Sequence, residues 1–131
     1  MGRACYQAAK TGAQLITVHA CAGKKALQES NQLAIAGARD VGLLPPTLLA
    51  VTVLTSWESQ SFEDELGIRQ PLSERVNLLG TLAFSSGIGG CICSPLEVNI
   101  LRKNFPEPFQ LITPGIRSAG IDLNDQERVL T

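Results

Sequence analysis

Thr47-Leu48-Leu49-Ala50-Val51-Thr52-Val53-Leu54 is nearly continuous apolar sequence. A run of this kind is expected of a strand covered on both faces, as strands are in parallel sheets flanked by helices. Gly42 and Pro45-Pro46 break the chain before it, and Thr55-Ser56-Trp57-Glu58 ends it. Working outward, the same alternation recurs on either side. Upstream, Gln14 to His19 reads as a strand, followed by Ala20-Cys21-Ala22-Gly23. From about Lys24 to Arg39, Leu27, Ala34 and Ala38 fall near one face while Lys24, Lys25 and Glu29 point elsewhere, which predicts an amphipathic helix. Before that strand, Arg3 to Lys10 sets Ala4, Cys5, Ala8 and Ala9 on helical spacing, and Gly12 closes the segment.

Downstream, Ser61 to Leu66 predicts a short helix capped by Gly67. Pro71 opens a longer one with Leu72, Val76, Leu79 and Ala83 as its stripe and Gly87 at its end. Gly90 to Cys93 is a short third strand. Ser94-Pro95-Leu96-Glu97 has the form of a capping box with proline at the first helical position, and its helix runs to about Lys103. Phe109 to Thr113 is the fourth strand, stopped by Pro114-Gly115. Strands alternate with helices and no two are joined by a hairpin signal, so the pattern implies α/β architecture with a parallel sheet.

The C-terminal ends of parallel strands share one rim. The polar residues collect there: His19, then Thr55 and Ser56, then Cys93 and Ser94, then Arg117. Arg117 offers a planar fork of donors suited to a phosphate or carboxylate, and equally reads as a solvated surface arginine. His19 alone reads more simply as a hydrogen-bonded strand-end histidine. Ser94 is accounted for as a helix cap, and Thr55 and Ser56 as hydroxyls bonding local backbone. Glu63, Asp64 and Glu65 form a solvated helix face. Gly87-Ile88-Gly89-Gly90 precedes a strand, whereas a phosphate-cradling loop follows one, so it is read as a turn.

Composition narrows the function classes. The chain has 131 residues, 44% hydrophobic and 18% charged, which fits one globular domain with a real core. A net charge of −1 gives no electrostatic case for nucleic acid or a membrane surface. No apolar run approaches the roughly 20 residues of a membrane span, and the N-terminus lacks the apolar core of a signal peptide. The four cysteines, Cys5, Cys21, Cys91 and Cys93, include no Cys-x-x-Cys pair, and there is a single histidine, so a metal site is not expected. Unpaired thiols in this pattern favour a reducing cytoplasm.

Four segments, in this order and at matching intervals, resemble orotidine 5′-phosphate decarboxylase. They are Leu49-Ala50-Val51-Thr52-Val53-Leu54-Thr55-Ser56, Cys93-Ser94-Pro95-Leu96-Glu97, Thr113-Pro114-Gly115-Ile116-Arg117 and Asp125-Gln126-Glu127-Arg128-Val129-Leu130-Thr131. Val18-His19-Ala20 fits the preceding strand end, and the similarity runs from about Ala4 to Thr131. The resemblance implies a (β/α)₈ TIM barrel, of which this chain would be a single partial domain over residues 1–131 carrying family strands 4 to 7. It implies decarboxylation of orotidine 5′-phosphate to UMP, the last step of pyrimidine nucleotide synthesis, by a homodimer with no metal or organic cofactor. Carried over by position, Arg117 would bind the substrate phosphate and Gln126 would lie between phosphate and pyrimidine. Thr55 and Ser56 would contact the nucleotide near its base.

One departure matters. The family's reaction centre is an Asp-x-Lys-x-x-Asp motif, and none of Lys10, Lys24, Lys25 and Lys103 has aspartates at those offsets. The expectation is therefore a partial chain, missing earlier strands and the last one, with substrate-binding residues but no catalytic residue of its own. A non-catalytic phosphate-binding remnant and an unrelated open α/β binding module are the alternatives.

Overall fold

The structure, a computed structural model, describes residues 1–117. Its elements in chain order are α1 (Gly2–Lys10), β1 (Leu15–His19), α2 (Lys24–Asp40), β2 (Thr47–Val51), α3 (Ser59–Leu66), α4 (Leu72–Ser85), β3 (Gly90–Ile92), α5 (Val98–Asn104) and β4 (Gln110–Ile112). Short 3₁₀ turns at Ala20–Ala22 and Pro95–Glu97 precede α2 and α5. The strands form one four-stranded sheet in the order β1-β2-β3-β4, and every pair is parallel.

The strands are shorter than the apolar runs that announce them. β2 leaves the ladder after Val51, and the Thr52 hydroxyl donates instead to the Ile92 carbonyl at 3.2 Å. Val53 then turns back into the core, 5% exposed. Apolar character persists past the strand because the turn itself is packed.

Alternation in a strand sends neighbouring side chains to opposite faces. The register places Val18, Ala50, Cys91 and Leu111 side by side, so they share one face. That face packs against the helices, with Leu27, Ala34, Val76, Leu79 and Leu101 in the same core. The opposite face carries Leu15, Thr17, His19, Leu49, Val51, Ile92 and Ile112. No helix covers it among the described residues: Leu15 is 50% and Ile112 37% exposed. Leu49 is buried there because Gly90 beside it has no side chain; a Cβ on Gly90 would lie 2.9 Å from Leu49 Cδ2. Parallel sheets are ordinarily buried on both faces. Here one is packed and the other is an open apolar surface flanked by two strand edges.

Aromatic packing closes the end of the sheet where the strands begin. Phe105 and Phe109 lie 5.6 Å apart between ring centroids, with Phe84 5.5 Å from each. Arg102 Nη1 donates to the Phe105 and Phe109 carbonyls at 3.1 and 2.7 Å, tying α5 to the segment entering β4.

Helices α1 and α2 meet closely because small residues line their contact. The Tyr6 hydroxyl donates to Asp40 Oδ2 at 2.5 Å across this pair, and that bond raises the tyrosine pKa. A Cβ on Gly37 would overlap the Tyr6 carbonyl. Two effects oppose each other in Gly37→Ala: alanine gains about 1 kcal/mol of helix propensity, while overpacking typically costs about 1–3 kcal/mol. The obstacle is backbone, which cannot swing aside, so the clash wins. Gly37→Ala is expected to lower stability by up to about 2 kcal/mol, the clash less the propensity gain, read as an earlier urea midpoint; an unchanged or later midpoint would show that the helices can separate freely.

Candidate functional site

The register ends on one line, since His19 pairs with Val51, Val51 with Ile92, and Ile92 with Ile112. Four loops therefore leave the sheet at the same edge. Cys93 N–H donates to the Ile112 carbonyl at 3.0 Å, which extends the ladder one step and holds the third and fourth loops together.

The loop after β1 is the 3₁₀ turn Ala20–Ala22, with Gly23 at φ +90° leading into α2. His19 is exposed at the top of β1, on the open face by register. The loop after β2 closes as a turn in which Trp57 N–H donates to the Leu54 carbonyl at 3.1 Å, leaving Thr55 and Ser56 at its corner. Thr55 is 6% exposed, whereas Ser56 faces solvent.

After β3, the predicted capping box is present. Ser94 N–H donates to Glu97 Oε2 at 2.9 Å, and Leu96 N–H donates to Ser94 Oγ at 3.3 Å. Both residues are buried, Ser94 at 0% and Glu97 at 8% exposure. The carboxylate accepts the cap's own backbone N–H, the compensation a buried charge requires. Glu97 was legible only as the last letter of that box; its burial on the rim was not.

After β4, Pro114 and Gly115 end the strand as expected, with Gly115 buried at φ +80°. Arg117 stands just beyond, half-buried, and its Nη1 donates to the Ile116 carbonyl at 3.1 Å. Thr55, Ser56 and Arg117 thus lie on loops leaving one edge of the sheet, on its second and fourth strands. Gln126 lies outside the described residues.

Cys91 and Cys93 are fully buried, Cys5 is buried, Cys21 is exposed, and none of the four is in a disulfide. A hydrogen bond with Cys93 draws the Cys91 pKa below its usual value; burial and the Glu97 charge oppose this, and Arg102 adds to it. Arg75 is one residue the sequence reading passed over. It is half-buried and lines a cavity beside the rim, and its place three residues after Leu72 at the border of the α4 stripe was the available signal.

A parallel sheet packed by helices on one face and bare on the other, with polar loop residues at its carboxyl edge, defines part of a (β/α)₈-barrel protein. Comparison with known proteins agrees. The orotidine 5′-phosphate decarboxylase / HUMPS family matches residues 1–131, and the chain belongs to that family. It is 71% identical over 131 residues to the orotidine 5′-phosphate decarboxylase of Prochlorococcus marinus, covering 100% of this chain and 55% of that protein. It is 57% identical over 130 residues to the same-named protein of Parasynechococcus marenigrum, covering 99% and 53%. The crystal structure of orotidine 5′-phosphate decarboxylase from Lactobacillus acidophilus superposes with a TM-score of 0.77 at 39% identity, over 89% of this chain and 54% of that one. The chain thus spans about half the length of the curated relatives it matches. Membership of this family overturns the reading of an unrelated open α/β module, and relatives named as decarboxylases give no support to a non-catalytic remnant.

A thiol reagent can reach only exposed sulfur. The folded chain is expected to lose one of its four thiols rapidly to a water-soluble aromatic disulfide, and none rapidly after Cys21→Ser. Rapid modification of three or four would mean that the helix-side core is not closed in solution.

Proposed function

We propose that these residues are the phosphate- and nucleotide-binding portion of an orotidine 5′-phosphate decarboxylase, a carbon–carbon lyase of pyrimidine synthesis acting in the cytoplasm as a homodimer. The observation that carries the reading is the 71% identity to a protein of that name along the whole chain. The placement of Thr55, Ser56 and Arg117 on loops at one sheet edge supports it.

The chemistry accounts for these residue types. Loss of CO₂ breaks the bond between the carboxyl carbon and the pyrimidine ring and leaves the electron pair on a ring carbon. Water stabilises such a carbanion poorly, so the protein must fix the base in a prearranged electrostatic setting. Binding energy from the distant phosphate is available for that purpose. Arg117 would grip the phosphate with its guanidinium fork, giving up its bond to the Ile116 carbonyl for a charged partner. Gln126 would bridge from phosphate to pyrimidine, and the corner residues Thr55 and Ser56 would fix the edge of the base. None of these groups moves a proton. The proton that replaces CO₂ would come from the lysine of an Asp-x-Lys-x-x-Asp motif, which these 131 residues do not hold. On this reading the domain is partial: the remaining strands of the barrel would pair with the edges of β1 and β4, and their inward side chains would fill the space over the open face.

The purified 131-residue chain is therefore expected to bind without turning over. UMP at a hundred times its Kd should raise stability by about 2.7 kcal/mol, visible as a higher melting temperature. Arg117→Ala should abolish that rise while leaving the ligand-free melting temperature unchanged. Release of CO₂ from orotidine 5′-phosphate by the chain alone would refute its silence, and absence of any UMP effect would remove the binding assignment.

A further inference from the structure

Behind the turn that carries Thr55 and Ser56 lies the cavity that Arg75 lines, of about 180 Å³. It opens between the carboxyl ends of β1 and β2 and the helices α3 and α4. Its walls are mostly apolar and aromatic: Val53, Leu54, Phe62 and Leu79, with Trp57 set edge-on to Phe62 at 77° and 6.1 Å between centroids, while His19 and Cys21 line its β1 side. An apolar cavity of about 150 Å³ accepts benzene, so this volume suits one six-membered ring and little more.

Charge narrows the ligand. Among the described residues no carboxylate lines the cavity, and Arg75 is its only permanently charged residue. Arg75 is half-buried, and its guanidinium makes no hydrogen bond or ion pair among the described residues; only its backbone N–H is bonded, to the Pro71 carbonyl at 3.0 Å. The polar Thr52 hydroxyl is already engaged with the Ile92 carbonyl. A partly desolvated guanidinium beside an aromatic slot is matched by a planar anion: the ring fills the slot and the carboxylate takes the two-pronged bond.

We propose that this cavity is an accessory site for a one-ring aromatic carboxylate. It is distinct from the rim positions Thr55, Ser56 and Arg117. Leu54 and Trp57, the two ends of the hydrogen-bonded turn that holds Thr55 and Ser56, both line it. An occupant therefore braces that turn from behind.

Trp57 is the single tryptophan of the chain, so its fluorescence reports the cavity without labelling. The experiment titrates benzoate against its uncharged isostere benzamide, in the 131-residue chain at neutral pH. Benzoate is expected to give a saturable change in Trp57 emission, with benzamide about tenfold weaker or more, the worth of one charge-assisted hydrogen bond. Arg75→Met should remove that preference and leave benzamide unchanged. Leu66→Phe, a substitution at an exposed lining position, should weaken both probes by narrowing the space. Equal affinity for the two probes, an Arg75→Met variant that still prefers benzoate, or no saturable response to benzoate would overturn the assignment. Indifference of both probes to Leu66→Phe would overturn it as well. Because neither probe is a nucleotide, failure here leaves the UMP result standing, and the reverse also holds.

Discussion

The common line on which the strands end is the constraint from which the rest follows. Parallel pairing leaves no hairpin, so every return must cross over through a helix. Helices α2, α4 and α5 make those crossovers, and the core forms where they pack on the sheet. The same pairing sends every loop after a strand to one edge. Residues as far apart as His19 and Arg117 thereby come to a single rim without any direct bond between them. The ladder extends one step past β3 through the Cys93 to Ile112 bond, so even the loop bases remain in register.

The second consequence is the asymmetry of the sheet. On the helix side Val18, Ala50 and Cys91 are nearly inaccessible, while on the other Leu15 and Ile112 meet solvent. Each apolar square ångström left exposed forgoes about 25 cal/mol of burial. A barrel removes that surface by wrapping the sheet on itself, which also eliminates strand edges. The matches to about half the length of longer relatives are in keeping with this geometry.

Much of this was legible in the chain because local chemistry and fold agree. The run from Thr47 announces β2, Ser94 to Glu97 announces a capping box, and Pro114-Gly115 announces the end of β4; each is a short-range signal with a steric or hydrogen-bonding cause. What was not legible depends on distance. The apolar run of β2 implied cover on both faces, but composition cannot say whether the partner for one face lies within the same residues. The early end of that strand at Val51 depends on Thr52 finding the Ile92 carbonyl forty residues away. Arg75 has an ordinary position on α4, and only the packing of α3 makes its surroundings aromatic.

The rim also separates two kinds of polar residue that a sequence presents alike. Ser94 and Glu97 are buried and consumed by capping, which fixes the start of the turn into α5 and spends their hydrogen bonds on backbone. Ser56 and Arg117 stand where the backbone has already satisfied itself, in a closed turn and after a terminated strand. Arg117 bonds only to the carbonyl preceding it among the described residues, a weak local contact that a phosphate would displace at little cost. A scaffold that satisfies its own backbone with one set of polar groups can leave a second set available to a ligand. That division, rather than the mere presence of serine or arginine at a strand end, makes the second and fourth loops the stronger candidates for binding.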